Sequence, residues 1–297
     1  MTDPFIPPSG RVPEARLTTI HDGRRIAVRQ AGTGLPVVLL HGFPLDHSMW
    51  DGQWALVAEG GILHGTARLI VPDLAGFGGS FGPTSPSIAA MADEVVALLD
   101  ALGCETPVVA CGLSMGGYVA QHLAARHPAR LRGLVLVDTK LEADTPEARA
   151  GRVDLSERVG RLGTRIAAEA MVPRLLARGP GIDRGEIEAR LRGTIERTSV
   201  TTIQTALRAL ADRPDMTAAA AAFALPTLLV VGEEDVITPP DCLERAALVI
   251  AGAEFVTIPG CGHMAPMEDP AAFNARLASF LRDRIVTATP RAPTEPR

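Results

Sequence analysis

Between Val108 and Ala120 the chain reads Val-Val-Ala-Cys-Gly-Leu-Ser-Met-Gly-Gly-Tyr-Val-Ala, a β-branched stretch that turns through Gly-x-Ser-x-Gly into a helix-forming one. A strand that must reverse into a helix within one residue forces that residue into a strained backbone conformation. Only minimal side chains two positions to either side let the two segments pass. Gly112 and Gly116 meet that demand. The turn projects Ser114 Oγ clear of the sheet, and the Met115 N–H, opening the helix, is aimed at any oxyanion that forms beside it.

The rest of the chain repeats this alternation. Short apolar runs suited to strands buried on both faces occur at Val37–Leu40, Leu69–Val71, Val108–Cys111, Leu134–Val137, Thr227–Val231 and Glu254–Ile258. Helical segments are predicted at Ser48–Ala58, Ser87–Leu102, Met115–Arg126, Pro239–Ile250 and Pro270–Arg284. Thr238-Pro239 and Asp269-Pro270 each pair an N-cap residue with a proline at the first helical position, and Pro128 closes the helix that follows Ser114. Arg16–Ile20 and Ile26–Gln30 flank Asp22-Gly23, a pair that favours a tight hairpin, so antiparallel strands should open the chain. The fold class expected is α/β, a mostly parallel, doubly wound sheet.

From Lys140 to Ala222 helical periodicity continues with no strand-like run. This predicts an all-helical cap, residues 140–222, inserted into a core of residues 16–139 and 223–286. Its inner apolar face would cover Ser114, exclude water and choose substrates. The ends, 1–15 and 287–297, are rich in proline without apolar periodicity and are expected to fray.

The net charge of -5 is spread without long like-charge runs, which gives nucleic acid or an anionic membrane no electrostatic hold. A small ligand suits the chain better. The first residues lack a basic and apolar leader pattern, and no stretch reaches the ~20 apolar residues of a membrane span, so a cytoplasmic protein is expected. Cys104, Cys111, Cys242 and Cys261 have no C-x-x-C spacing and are expected to be free buried thiols. Cys111 and Cys261, close to the reactive candidates, are open to a redox role.

A serine hydroxyl needs a base to take its proton, and histidine is suited to that work. His263, in Gly-Cys-Gly-His-Met-Ala-Pro after the last apolar run, lies where open α/β sheets place function. His41, in Leu-Leu-His-Gly-Phe-Pro, is its rival and is given a structural role. Gly42 after it can turn the Phe43 N–H toward the site as a second oxyanion donor beside Met115. His47, His64, His122 and His127 read as ordinary loop or helix residues. The acid that orients the base is Asp235 in Gly-Glu-Glu-Asp, with Glu233 and Glu234 facing solvent or bracing the loop. Asp138, after Leu134–Val137, competes for that role. Its other reading is a hydrogen bond to the chain entering the cap.

Ser114, Asp235 and His263 follow one another as nucleophile, acid and base, with a helical insertion between the first two. With His41-Gly42-Phe43-Pro44, the Asp73–Ser80 segment and Gly262-His263, this order resembles the α/β-hydrolase superfamily over roughly residues 16 to 285. The resemblance is nearest to 3-oxoadipate enol-lactonases, small carboxylesterases and carbon-carbon bond hydrolases. Dehalogenases and epoxide hydrolases with an aspartate nucleophile are disfavoured by Ser114. Asp73–Ser80 reads as scaffold.

The resemblance implies cleavage of a small to medium ester or lactone through an acyl-enzyme, without metal or organic cofactor, by a monomer or homodimer. A ligand receptor that keeps the hydrolase pocket is the reading from another class. Phe43, Trp50, Met115, Tyr118, Met264 and Met267 are candidate pocket walls. Arg158, Arg161, Arg165 and Arg174 are candidates to meet a substrate carboxylate.

Overall fold

The computed structural model describes residues 12–178 and 184–287. Of the ends expected to fray, 1–11 and 288–297 lie outside the described residues. The strands are β1 (Arg16–Thr19), β2 (Arg25–Gly32), β3 (Leu35–Leu40), β4 (Ala67–Pro72), β5 (Val108–Leu113), β6 (Leu131–Val137), β7 (Thr227–Gly232) and β8 (Glu254–Ile258). They form one 8-stranded sheet in the order β1-β2-β4-β3-β5-β6-β7-β8. β1 and β2 pair antiparallel, as do β2 and β4, and every pair from β4 onward is parallel. The sheet is mostly parallel with an antiparallel opening, as the apolar runs predict, and β5 and β7 are buried along their whole length.

Register places the chemistry. Leu40 pairs with Gly112, Leu113 with Val137, and Gly232 with Ile258, so the carboxyl ends of β3, β5, β6, β7 and β8 align along one edge. The chain leaves β3 toward β4 on one side and places β5 on the other. Such a reversal opens a crevice between the diverging connections. His41, Ser114, Asp138, Asp235 and His263 all follow strands on this edge.

Helix α1 (Ile88–Ala101), capped by Ser87 accepting from the Ala90 N–H, packs on α2 (Met115–Arg126), which covers β5 and β6. Between β6 and β7 lie α3 (Pro146–Leu162), α4 (Arg165–Leu175), α5 (Arg184–Arg197), α6 (Val200–Ala211) and α7 (Thr217–Ala220), the inserted helical cap. On α6, Ile203, Ala206, Leu207 and Leu210 recur at helical spacing, are buried, and join the same apolar core as the sheet. Burying each large aliphatic contributes about 1.5–3 kcal/mol, which fixes the cap on the sheet edge. The core is completed by α8 (Pro240–Val249), α9 (Ala265–Glu268) and α10 (Pro270–Phe280).

Three local expectations are corrected. His47–Leu56 is a 3-10 helix, not an α-helix, and a Cβ on its Gly52 would lie 2.7 Å from Pro270, so packing against α10 rather than propensity shapes it. Thr238 does not cap α8: Pro239 takes that place, because the Thr238 hydroxyl is drawn to Asp235. The last helix changes character at Leu281, continuing to Val286 as a π-helix, while Asp269 caps α10 as expected by accepting from the Ala272 N–H at 2.9 Å. All four cysteines are free and buried.

Candidate active site

Ser114 has φ 52 and ψ -111, and with Asp138 it is one of two non-glycine residues with positive φ among the described residues. Such conformations cost about 1–3 kcal/mol and persist where their surroundings over-determine them. A Cβ on Gly112 would fall 2.1 Å from the Gly116 carbonyl oxygen, and one on Gly116 would fall 2.1 Å from that of Leu40. The Ser114 N–H donates to Val137 O at 3.0 Å, and its carbonyl accepts from the Tyr118 N–H at 3.1 Å and Thr139 Oγ1 at 3.0 Å. Met115 opens α2, so no preceding helical turn engages its N–H.

His263 Nδ1 lies 2.7 Å from Asp235 Oδ2, and both side chains are buried. Asp235 also accepts from Thr238 Oγ1 at 2.7 Å and from the N–H groups of Ile237 at 2.7 Å and Thr238 at 3.1 Å. Burial pushes its carboxyl pKa up, but the His263 charge and hydrogen bond, the Thr238 hydroxyl and the Ile237 N–H together hold it below the usual range. An ionised carboxylate only accepts, so Nδ1 carries the proton that this contact shares.

Asp138, the competing acid, makes no bond to His263. Its Oδ1 accepts the Gly232 N–H at 2.7 Å, at the end of β7, and so it does not hold the chain entering the cap. Burial and the neighbouring Asp235 charge drive its pKa well above the ordinary value. Glu233 and Glu234 brace loops, accepting the N–H groups of Gly260 at 3.2 Å and Arg178 at 3.0 Å. His41 is fully buried, its Nε2 accepting the Leu74 N–H at 3.0 Å and its Nδ1 lying 2.9 Å from the Gly42 carbonyl. It fixes the loop before Phe43, and burial lowers its pKa.

Two residues beyond the expected set shape the site. The Thr238 hydroxyl contacts both Asp235 Oδ2, at 2.7 Å, and His263 Nδ1, at 3.3 Å, and its Asp-x-x-Thr spacing is the signal in sequence. Glu268 accepts the Gly262 N–H at 2.8 Å and the Met264 N–H at 3.3 Å, and its other oxygen accepts the Ala177 N–H of the cap at 2.8 Å. A glutamate on a one-turn helix carries no such signal in sequence.

Ser114, Phe43, Tyr118, Thr238 and His263 line a cavity of about 490 Å³ roofed by α3, α4 and α6. Trp50 and Met264 do not line it. Trp50 is fully buried against Phe273 with ring centroids 5.9 Å apart, and Met264 is buried behind the His263 loop. The Met115 side chain is likewise buried in the core, and Met267 lines a separate small recess with Leu45 and Arg190. Arg158 and Arg174 reach the cavity, whereas Arg161 does not and Arg165 pairs with Glu169 on the exposed surface at 2.8 Å. Lys140 and Arg152, outside the expected set, line it too.

Among the described residues, Asp46, His47 and Asp73 form a cluster with metal-ligating side chains within reach of one another. Several of their ligating atoms are engaged internally. Asp73 accepts the His47 N–H and faces His47 Nδ1, both at 2.7 Å, and accepts the Gly79 N–H at 2.8 Å, while Asp46 accepts Ser48 N–H at 2.9 Å. This bonding makes the Asp73–Ser80 segment scaffold and gives His47 a partner that the sequence reading did not.

Residues 37–276 match the model of the alpha/beta hydrolase family, and the chain belongs to that family. It is similar to a thermophilic esterase from Thermogutta terrifontis, at 38% identity and a TM-score of 0.83 over 91% of this chain and 98% of that one. It is similar to the enol-lactonase from Burkholderia xenovorans, at 26% identity and a TM-score of 0.81 over 90% of this chain and 100% of that one. A 2-hydroxymuconate semialdehyde hydrolase from a Pseudomonas strain is 30% identical over 289 residues, covering 93% of this chain and 97% of that one.

Proposed function

We propose that this protein hydrolyses small to medium carboxylic esters or lactones with Ser114 as nucleophile, His263 as base and Asp235 as the acid that orients it. The observation that carries the reading is the 2.7 Å His263–Asp235 contact beside a cavity that Ser114 shares. Ser114 Oγ attacks the carbonyl carbon as His263 Nε2 takes its proton. Asp235 stabilises the imidazolium, and the N–H groups of Phe43 and Met115 receive the oxyanion. His263 then protonates the leaving alcohol, and water repeats the sequence on the acyl-enzyme to release the acid and restore Ser114.

Residues 140–222 act as the substrate-covering cap, and residues 16–139 and 223–286 as the catalytic core. Four free thiols favour a cytoplasmic setting. No helix among the described residues is long and apolar enough to cross a membrane. The protein works as a monomer or homodimer.

The test is steady-state hydrolysis of p-nitrophenyl acetate, butyrate and octanoate by the wild type and a folded Ser114→Ala variant. Many turnovers that fall by on the order of 10⁶-fold on substitution are expected. Negligible or serine-independent turnover overturns the reading and favours a ligand receptor.

A further inference from the structure

Asp144 sits at the cap side of the cavity with its side chain 2 % exposed. Three cations converge on this single carboxylate: Arg152 Nε at 2.5 Å, Arg213 Nη2 at 2.8 Å and Lys140 Nζ at 3.6 Å. Arg213 is consumed by structure. It is buried over the Tyr118 ring at 4.0 Å, and its Nη1 donates to Glu142 O at 2.5 Å. Lys140 and Arg152 are different, because both line the cavity and both retain donors. Among the described residues Lys140 Nζ reaches only Ala143 O at 3.5 Å besides Asp144, and Arg152 Nη2 lies 3.5 Å from Asp144 Oδ1.

The cluster therefore carries one negative and three positive charges in a partly desolvated wall. The other charges of the cavity do not cancel it. Arg158 and Asp154 pair with each other at 3.5 Å with both side chains solvent-exposed, and Arg174 adds a further cation at the mouth. Glu147 is fully exposed. Thr139, which bonds the Ser114 carbonyl, immediately precedes Lys140 and ties this charge to the nucleophile's turn. Charges held in place beforehand bind an incoming opposite charge without reorganisation, and unsatisfied ammonium and guanidinium donors favour a carboxylate.

We propose that Lys140 and Arg152, held by Asp144, form an anion subsite that selects esters or lactones carrying a second, free carboxylate. This inference rests on the hydrolase reading above. Its test compares kcat/KM for monoethyl adipate with that for ethyl hexanoate, which replaces the free carboxylate by a methyl group, in the wild type, Lys140→Gln, Arg152→Gln and Arg165→Gln.

The wild type is expected to favour the anionic ester by about tenfold or more. Lys140→Gln and Arg152→Gln should each lower that ratio by about tenfold, as for loss of one charge-assisted hydrogen bond, and Arg165→Gln should leave it unchanged. A wild-type preference for the neutral ester, or a ratio indifferent to both cavity substitutions, overturns the proposal. If the wild type turns over neither ester, the p-nitrophenyl ester assay decides the hydrolase reading, and calorimetric titration with adipate decides the subsite by itself. Binding weakened about tenfold by Lys140→Gln upholds the subsite, and equal or absent binding overturns it.

Discussion

Thr238→Val removes a hydroxyl while nearly keeping the shape of the side chain. That hydroxyl donates to Asp235 Oδ2 at 2.7 Å, in a setting where Thr238, Asp235 and His263 are all buried. A hydrogen bond to a charged acceptor contributes about 1.5–3 kcal/mol. At about 2.1 cal/mol/K per residue, unfolding this chain carries an entropy of about 0.6 kcal/mol/K, so Tm should fall by about 2.5–5 °C at pH 7. The folded-state pKa of Asp235 is depressed, so its stabilisation is present above the unfolded value of about 4 and is lost as pH falls through the folded value. The gap in Tm between wild type and variant should therefore narrow in acid.

Kinetically, Asp235 keeps its other three donors, and kcat for p-nitrophenyl butyrate should fall by about 3- to 10-fold with KM nearly unchanged. The hydroxyl supports the imidazolium that develops only in the transition state, which is why the loss appears in kcat. Thr238→Ser restores the donor and should recover most of both losses. Differential scanning fluorimetry across pH and steady-state assays on the three proteins decide the matter. A Tm within 1 °C of wild type with unchanged kcat, or serine and valine variants that behave alike, refutes the assignment.

Gly112→Ala places a Cβ 2.1 Å from the Gly116 carbonyl oxygen and 2.2 Å from its carbon, both backbone, so the junction must open. A shift of about 1 Å at Ser114 should cost about 10²-fold in kcat, and undiminished esterase activity in a folded variant would refute the close-packing account. Asp138→Asn keeps an acceptor for Gly232 but removes a titration. Because the folded-state pKa of Asp138 is raised, the native state binds that proton more tightly than the unfolded chain, and wild-type stability declines as pH rises above about 4. The variant's Tm should gain on the wild type between pH 4 and 8, and a constant difference over that range would overturn the assignment.

The elements of the site that could be read from sequence are those with local punctuation. Ser114, Asp235 and His263 each follow a parallel strand in a glycine-marked turn, and strand register brings their turns to one edge. The pocket walls have no such signature. Trp50 and Met264 sit near the motifs in sequence, but Trp50 turns away to pack on Phe273, a residue more than two hundred positions distant. Thr238 reads as a helix cap because threonine before proline usually is one, and the nearer carboxylate of Asp235 outcompetes that role. In the cap, one arginine looks like another. What separates Lys140 and Arg152 from Arg161 and Arg165 is Asp144, whose partner Arg213 is 69 residues away.

The choice between the two carboxylates at this edge is electrostatic. Asp138 and Asp235 follow the adjacent strands β6 and β7, and each opposes ionisation of the other, so the better-solvated one keeps the charge. The tight turn after β7 aims two N–H groups and a hydroxyl at Asp235 and sets the imidazole beside it. Asp138 accepts the Gly232 N–H on Oδ1 and has the Ala265 backbone beside it, while burial and the Asp235 charge push its carboxyl pKa well up. The N–H that Asp138 does accept belongs to Gly232, whose added Cβ would lie 2.0 Å from the Gly262 carbonyl oxygen. The Asp138 carboxyl thus grips the strand end from which the Asp235 turn departs and against which the His263 loop rests. The carboxylate that meets His263 is the one that the donors of its own turn favour in the charged form.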